Sequence, residues 1–136
     1  MKKMNNKGFS LVELIIVIAI MAILIGVLAP QYIKYVEKSR VSADKDLLDS
    51  VYTACTTAAA DPDYSTSAPS SGGAGTAVIT SSTSWGAEVL NTLGVSAFTQ
   101  VDGKLKSKSA GSTISIGIDA QGNFTVVAGS ISVPDK

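Results

Sequence analysis

The chain has 136 residues, with 11 basic and 11 acidic side chains and a formal net charge of zero, so nothing in the overall balance attracts a polyanion. It has no histidine, which removes the commonest general base, the commonest metal ligand and every Ser-His or Cys-His nucleophile pair. Its single cysteine, Cys55, excludes an intrachain disulfide, and a place on a helix face between Val51 and Ala58 suits a small buried hydrophobe better than a reactive thiol.

The charge is uneven along the chain. Lys2, Lys3 and Lys7 precede Phe9, and no acid does; without them eight basic side chains stand against eleven acidic ones. From Phe9 to Ala29 run 21 residues with one charge, Glu13. As a helix rising ~1.5 Å per residue, that stretch spans about 31 Å, close to the ~30 Å hydrocarbon core of a bilayer. A helix apolar all round is too much for roughly 100 remaining residues to wrap, so a buried soluble helix is a poor alternative. A cleaved secretory signal fits less well too. The apolar run exceeds an h-region of about 7–15 residues, and Pro30 follows directly on the small-residue site Val27-Leu28-Ala29. The segment therefore stays on the protein. Lys2, Lys3 and Lys7 on one flank and Lys34, Lys38, Arg40 and Lys45 on the other leave its orientation undecided by charge.

Within this region, Lys7-Gly8-Phe9-Ser10-Leu11-Val12-Glu13-Leu14 and the apolar run behind it resemble the type IV pilin family, which includes the pseudopilins of type II secretion and competence. The resemblance covers about the first 60 residues and implies a definite maturation. A membrane-embedded prepilin peptidase would cut after Gly8, Phe9 would become the N-methylated terminus, and Glu13 would be the glutamate at the fifth mature position. It also implies self-association into a filament, with an assembly ATPase and a membrane platform protein as partners. Glu13 then has a physical use. An acidic group deep in a bilayer costs ~2.5–3.5 kcal/mol, and less near the end of a span. Cutting at Gly8 creates an amine on Phe9, four residues from Glu13 on the same helical face. In the family the glutamate is thought to neutralise the terminal amine of a neighbouring subunit, a pairing that acts more as a register device than as a source of stability. The plain alternative is a glutamate hydrated at the membrane interface.

Pro30 lacks an N–H and its ring opposes the carbonyl of Gly26, itself a poor helix former, so a kink or loosening is expected over Gly26–Pro30. The resemblance implies partial unwinding there on packing into filaments; a static kink at the membrane exit is the other reading. From Gln31 the pattern turns amphipathic, with Ile33, Val36, Ala43, Leu47, Val51, Ala54, Cys55 and Ala58 on one face. Arg40–Asp44 and Lys45–Asp49 are expected to pair on the outer, solvated face. Asp61-Pro62 ends the helix.

Residues 61–84 are rich in Ser, Thr, Gly, Ala and Pro and read as a surface loop, with a short strand at Thr76–Thr80 and hydroxyls that are candidate glycan acceptors. Residues 84–94 form a short helix, capped by Ser84 and ended by Gly94, with Trp85 as a core anchor. Beyond Gly94 a period of two appears. Phe98–Val101 and Lys104–Lys106 flank Asp102-Gly103 as a hairpin, Ile114, Ile116 and Ile118 alternate, Phe124 and Val126 follow a turn at 120–123, and Ile131–Val133 adds an edge strand. Lys104, Lys106 and Lys108 on one strand face fit edge protection better than nucleic-acid binding, since no aromatic residues interleave. Calcium is the one cofactor the resemblance brings. Asp102, Asp119 and Asn123 are oxygen donors in turns, but their spacing matches no calcium loop and turn chemistry explains them.

The fold class expected is α+β: a long N-terminal helix, apolar in its first half and amphipathic in its second, packed against a small antiparallel sheet. The organisation is a leader at 1–8, a transmembrane and filament-core helix at 9–30, an amphipathic half at 31–60 and a small head at 61–136. The function expected is that of a structural subunit and not an enzyme: a pilin inserted in the cell membrane as a prepilin and then carried in an extracellular or envelope filament. The Ser/Thr-rich loop and intact Glu13 favour a major pilin. The small head and the missing disulfide leave a secretion or competence pseudopilin open, and only the competence type would involve nucleic acid. From another class, a single-pass membrane-anchored binding domain that never polymerises predicts an uncut N-terminus and tolerance of Glu13→Ala.

Overall fold

The structure, a computed structural model, describes residue 8 and residues 10–70, 73–74, 78–119 and 121–134. The chain divides into two compact units, Met1–Val36 and Glu37–Lys136. Helix α1, Leu11–Ala60, contributes to both.

In the first unit α1 carries no buried side chain along its apolar stretch. Leu11 is 73% exposed and Leu28 is 56% exposed, with Leu14, Ile18, Met21 and Ile25 similarly open. Helical backbone satisfies its own polar groups, which suits a segment with no polar surroundings to offer. The helix is continuous through Gly26 and Pro30.

The second unit has one core. Leu48, Val51, Ala54, Cys55 and Ala58 recur at three and four along α1 and join Trp85, Val89 and Leu90 of α2, Ser84–Leu93. Four antiparallel strands complete it in the order β1 (Gly73–Ala74), β2 (Ser115–Ile118), β3 (Phe124–Ala128) and β4 (Ile131–Val133). The register pairs Ile116 with Val126, Ile118 with Phe124 and Val127 with Ser132. Alternation on β3 buries Phe124, Val126 and Ala128. Trp85 joins the layers: its ring stacks on Phe124 at 5.7 Å, and its indole N–H donates to the Cys55 carbonyl at 3.3 Å. Cys55 is a free, buried thiol, and burial pushes its pKa up to about 12.

The α+β class, the end of α1 before Asp61, the core position of Trp85 and strands β2, β3 and β4 agree with the sequence reading. Gly94 ends α2 in a left-handed conformation, φ 73°, with Val95 donating to the Leu90 carbonyl in a Schellman pattern. Several expectations need correction. Thr83, not Ser84, caps α2, its hydroxyl accepting from the Gly86 amide at 3.0 Å. The expected hairpin at 98–106 is absent: Thr99–Asp102 is a short helix, α3. Phe98 and Val101, three apart, are both buried as one helical turn allows, and the Asp102 carboxylate accepts from the Ile114 amide at 3.0 Å instead of shaping a tight turn. Lys104, Lys106 and Lys108 therefore lie in a loop and protect no strand edge. The strand expected at Thr76–Thr80 falls partly outside the described residues, and Val78, Ile79 and Thr80 are not in a strand. On α1, Ile33 and Ala43 are exposed, while Leu48 and Asp44 are buried.

Candidate functional site

The N-terminal segment places Gly8 in the open, with nothing that an added Cβ would meet within 4 Å; Phe9 lies outside the described residues. Ser10 and Glu13 then form a reciprocal pair. The Glu13 amide donates to the Ser10 hydroxyl at 3.1 Å, and the Ser10 amide donates to the Glu13 carboxylate at 3.3 Å. This capping box satisfies two amides that a helix start leaves without partners. The carboxylate also sits in the first turn, at the positive end of the helix dipole. The signal was present in the sequence as Ser10-x-x-Glu13 before an apolar run, and it fixes where the helix begins. Glu13 thus has a local partner in the single chain and remains exposed to any other. At the far end of the span, Pro30 has no N–H to give the Gly26 carbonyl, and Gly26 has open space around it.

In the second unit, two carboxylates of α1 hold a loop. Asp44, 1% exposed, accepts from the Lys106 amide at 2.9 Å and the Ser107 amide at 2.7 Å. Glu37, two turns earlier, accepts from the Lys108 amide at 2.8 Å. Burial works against the charge of Asp44, but the Ser107 hydroxyl and the two amides outweigh it and hold its pKa below the usual value. The expected outer-face pairing of Arg40 with Asp44 is corrected accordingly: Asp44 faces inward and is spent on backbone. Its position four residues before Leu48, on the Leu48–Val51–Cys55 stripe, was the available signal.

The turn donors are also engaged. Asp119 accepts from the Gln121 amide at 2.9 Å, the Asn123 amide at 2.8 Å and the Asn123 side chain at 3.1 Å, and these bonds hold its pKa down. Among the described residues no group of three or more His, Cys, Asp or Glu could hold a metal ion.

Together these features define a class: an α+β protein on a long helix whose exposed apolar half, led by a capped glutamate, is compatible with a transmembrane anchor. Residues 3–29 match the family described as the prokaryotic N-terminal methylation motif. Over 50 residues the chain is 44% identical to the type IV major pilin protein PilA of Myxococcus xanthus (strain DK1622). That stretch is 37% of this chain and 23% of the relative, so the chain spans under a quarter of the relative's length. No solved structure matches the chain. Both likenesses support the type IV pilin family, which is a family of structural subunits and not of enzymes. The apolar helix and prepilin motif fit a membrane-anchored precursor.

Proposed function

We propose that the chain is a structural subunit of a type IV pilus or pilus-like filament. The observation that carries this reading is an apolar helix stretch, Leu11 to Leu28, exposed in the single chain and led by one exposed carboxylate, Glu13, all within the segment that matches the methylation motif. Prepilin peptidase cuts after Gly8, Phe9 is N-methylated, and the membrane holds the subunit until it assembles. In the filament the apolar helices of neighbouring copies replace lipid around one another. An assembly ATPase and a platform protein supply the work of extraction.

Glu13 has two successive partners in this account. In the single chain it caps the helix through Ser10. In the filament its carboxylate neutralises the amine on Phe9 of a neighbour, and methylation leaves that amine its charge. A copy that docks out of register leaves one charge buried and unpaired, which costs ~3–5 kcal/mol. Gly26–Pro30 is the point where the helix loosens on packing, since its hydrogen-bond ladder already lacks a donor there.

Glu13→Ala tests the assembly role. Cells carrying the variant should keep a normal membrane level of the protein and lose sheared filaments by about a hundredfold, as expected when a pairing of roughly 3 kcal/mol is lost. Unchanged filament yield would remove Glu13 from assembly and favour a plain membrane-anchored binding domain.

A further inference from the structure

The last exposed turn of the first unit differs in chemistry from the apolar span before it. Tyr32, Ile33 and Tyr35 are 69%, 67% and 67% exposed, and Lys34 between them is exposed as well. Among the described residues no hydrogen bond, ion pair or ring contact holds the side chains of Tyr32, Lys34 and Tyr35. Partial burial begins directly after them, at Val36 and Glu37, and the second unit starts at Glu37. At about 100° per residue, positions 32–35 face four directions and ring the helix. A single protein partner covers one face of a helix, whereas a lipid surrounding meets all of them. Tyrosine joins an apolar ring to a polar tip, and lysine joins an apolar stem to a charged head. Both suit a boundary between hydrocarbon and water.

The place of this ring along the helix fits such a boundary. The continuous helix from Leu11 to Tyr32 measures about 32 Å at ~1.5 Å per residue, against a hydrocarbon core of ~30 Å. With Tyr32–Tyr35 at one headgroup level, Leu11 lies at the opposite edge of the hydrocarbon. The Gly8–Phe9 bond, which precedes Leu11, then falls beyond that edge. We propose that Tyr32, Lys34 and Tyr35 dock on the phospholipid headgroup layer and fix the depth of the span, so that the Gly8–Phe9 bond stands clear of the hydrocarbon at the other surface. The two rings lie at headgroup level, and the Lys34 ammonium reaches the phosphates. Ile33 continues the apolar contact on the remaining side. A span without this belt is free to slide, and one turn of sliding, about 5.4 Å, carries the bond toward the hydrocarbon. The inference rests on the membrane-anchored precursor and is independent of the filament.

Fluorescence depth measurements on the uncut full chain, in vesicles of phosphatidylethanolamine and phosphatidylglycerol, test it. Tyr32→Trp, Tyr35→Trp and Leu24→Trp are each compared with the unsubstituted chain, whose single tryptophan, Trp85, is fully buried in the second unit. Lipids brominated near the headgroup end of the acyl chain should quench the Tyr32→Trp and Tyr35→Trp signals at least about twofold more than lipids brominated near the chain end. The order should reverse for Leu24→Trp. Adding Tyr32→Ser and Tyr35→Ser to Leu24→Trp should shift its ratio of shallow to deep quenching at least about 1.5-fold. Suppose that shallow bromines quench no more strongly than deep ones at 32 and 35, or that their quenching fades as protein is added at fixed lipid. These positions then belong to the hydrocarbon interior, to water or to a second copy, and the proposal is overturned. An unmoved Leu24→Trp ratio overturns the depth-setting role. A Leu24→Trp signal that neither lipid quenches overturns the membrane-anchored precursor as well.

Discussion

Asp44 shows how a charged residue can be structural without being catalytic. Both its oxygens accept backbone amides in a buried setting, so Asp44→Asn offers an N–H to a donor and leaves one amide unmatched. The substitution should cost about 1–3 kcal/mol, read as a lower denaturation midpoint with an unchanged m-value. The pH dependence has a defined sign. Asp44 has a lower pKa in the fold than its ordinary 3.8, so its stabilisation is fully present above that value and is lost as pH falls through the lower folded one. Acid unfolding of the unsubstituted chain should therefore steepen below pH 3.8, and Asp44→Asn should flatten that limb. Sequence pattern misplaces this residue because a lone aspartate beside Arg40 reads as a surface ion pair. Its true partners are amides 62 and 63 positions away, which no local window contains. The Ser10–Glu13 capping box, by contrast, lies within a single helical turn and was readable as Ser10-x-x-Glu13, but the sequence reading gave Glu13 to a neighbouring subunit and passed over it.

At the scale of elements, the legible parts were those with long or clean periodicity. Helix α1 announces itself by composition and ends at Asp61-Pro62. Strands β2 and β3 alternate, and the Asp119 carboxylate closes the turn between them. The segment 98–106 was not legible, because Asp102-Gly103 is a hairpin signal only if both flanks can pair. Here Phe98 and Val101 enter the core together, and the residues after Gly103 are taken by carboxylates on α1. The turn between β3 and β4 carries a sharper constraint. Gly129 has φ 61°, and an added Cβ would collide with the Ser109 carbonyl, where the loop approaches the sheet and the Ser130 amide donates at 3.0 Å. Gly129→Ala should destabilise the head by about 2 kcal/mol or more, measured by urea unfolding of the full chain in detergent. No change there would mean that the loop is not held against the sheet.

The whole molecule combines an N-terminal unit that buries nothing along its apolar span with a second unit that has a continuous core. The first needs a surrounding, either lipid or other copies, and the second folds around its own tryptophan stack. The match to the methylation motif covers residues 3–29, the part whose proposed partners are an enzyme and other copies. Everything proposed about assembly depends on one covalent event at Gly8–Phe9. The most direct measurement is the intact mass and N-terminal peptide of the protein taken from its own membranes. Processing as proposed removes Met1–Gly8 and leaves one added methyl group on Phe9. A chain that keeps Met1 in cells containing the peptidase would contradict it and leave a membrane-anchored protein that does not polymerise.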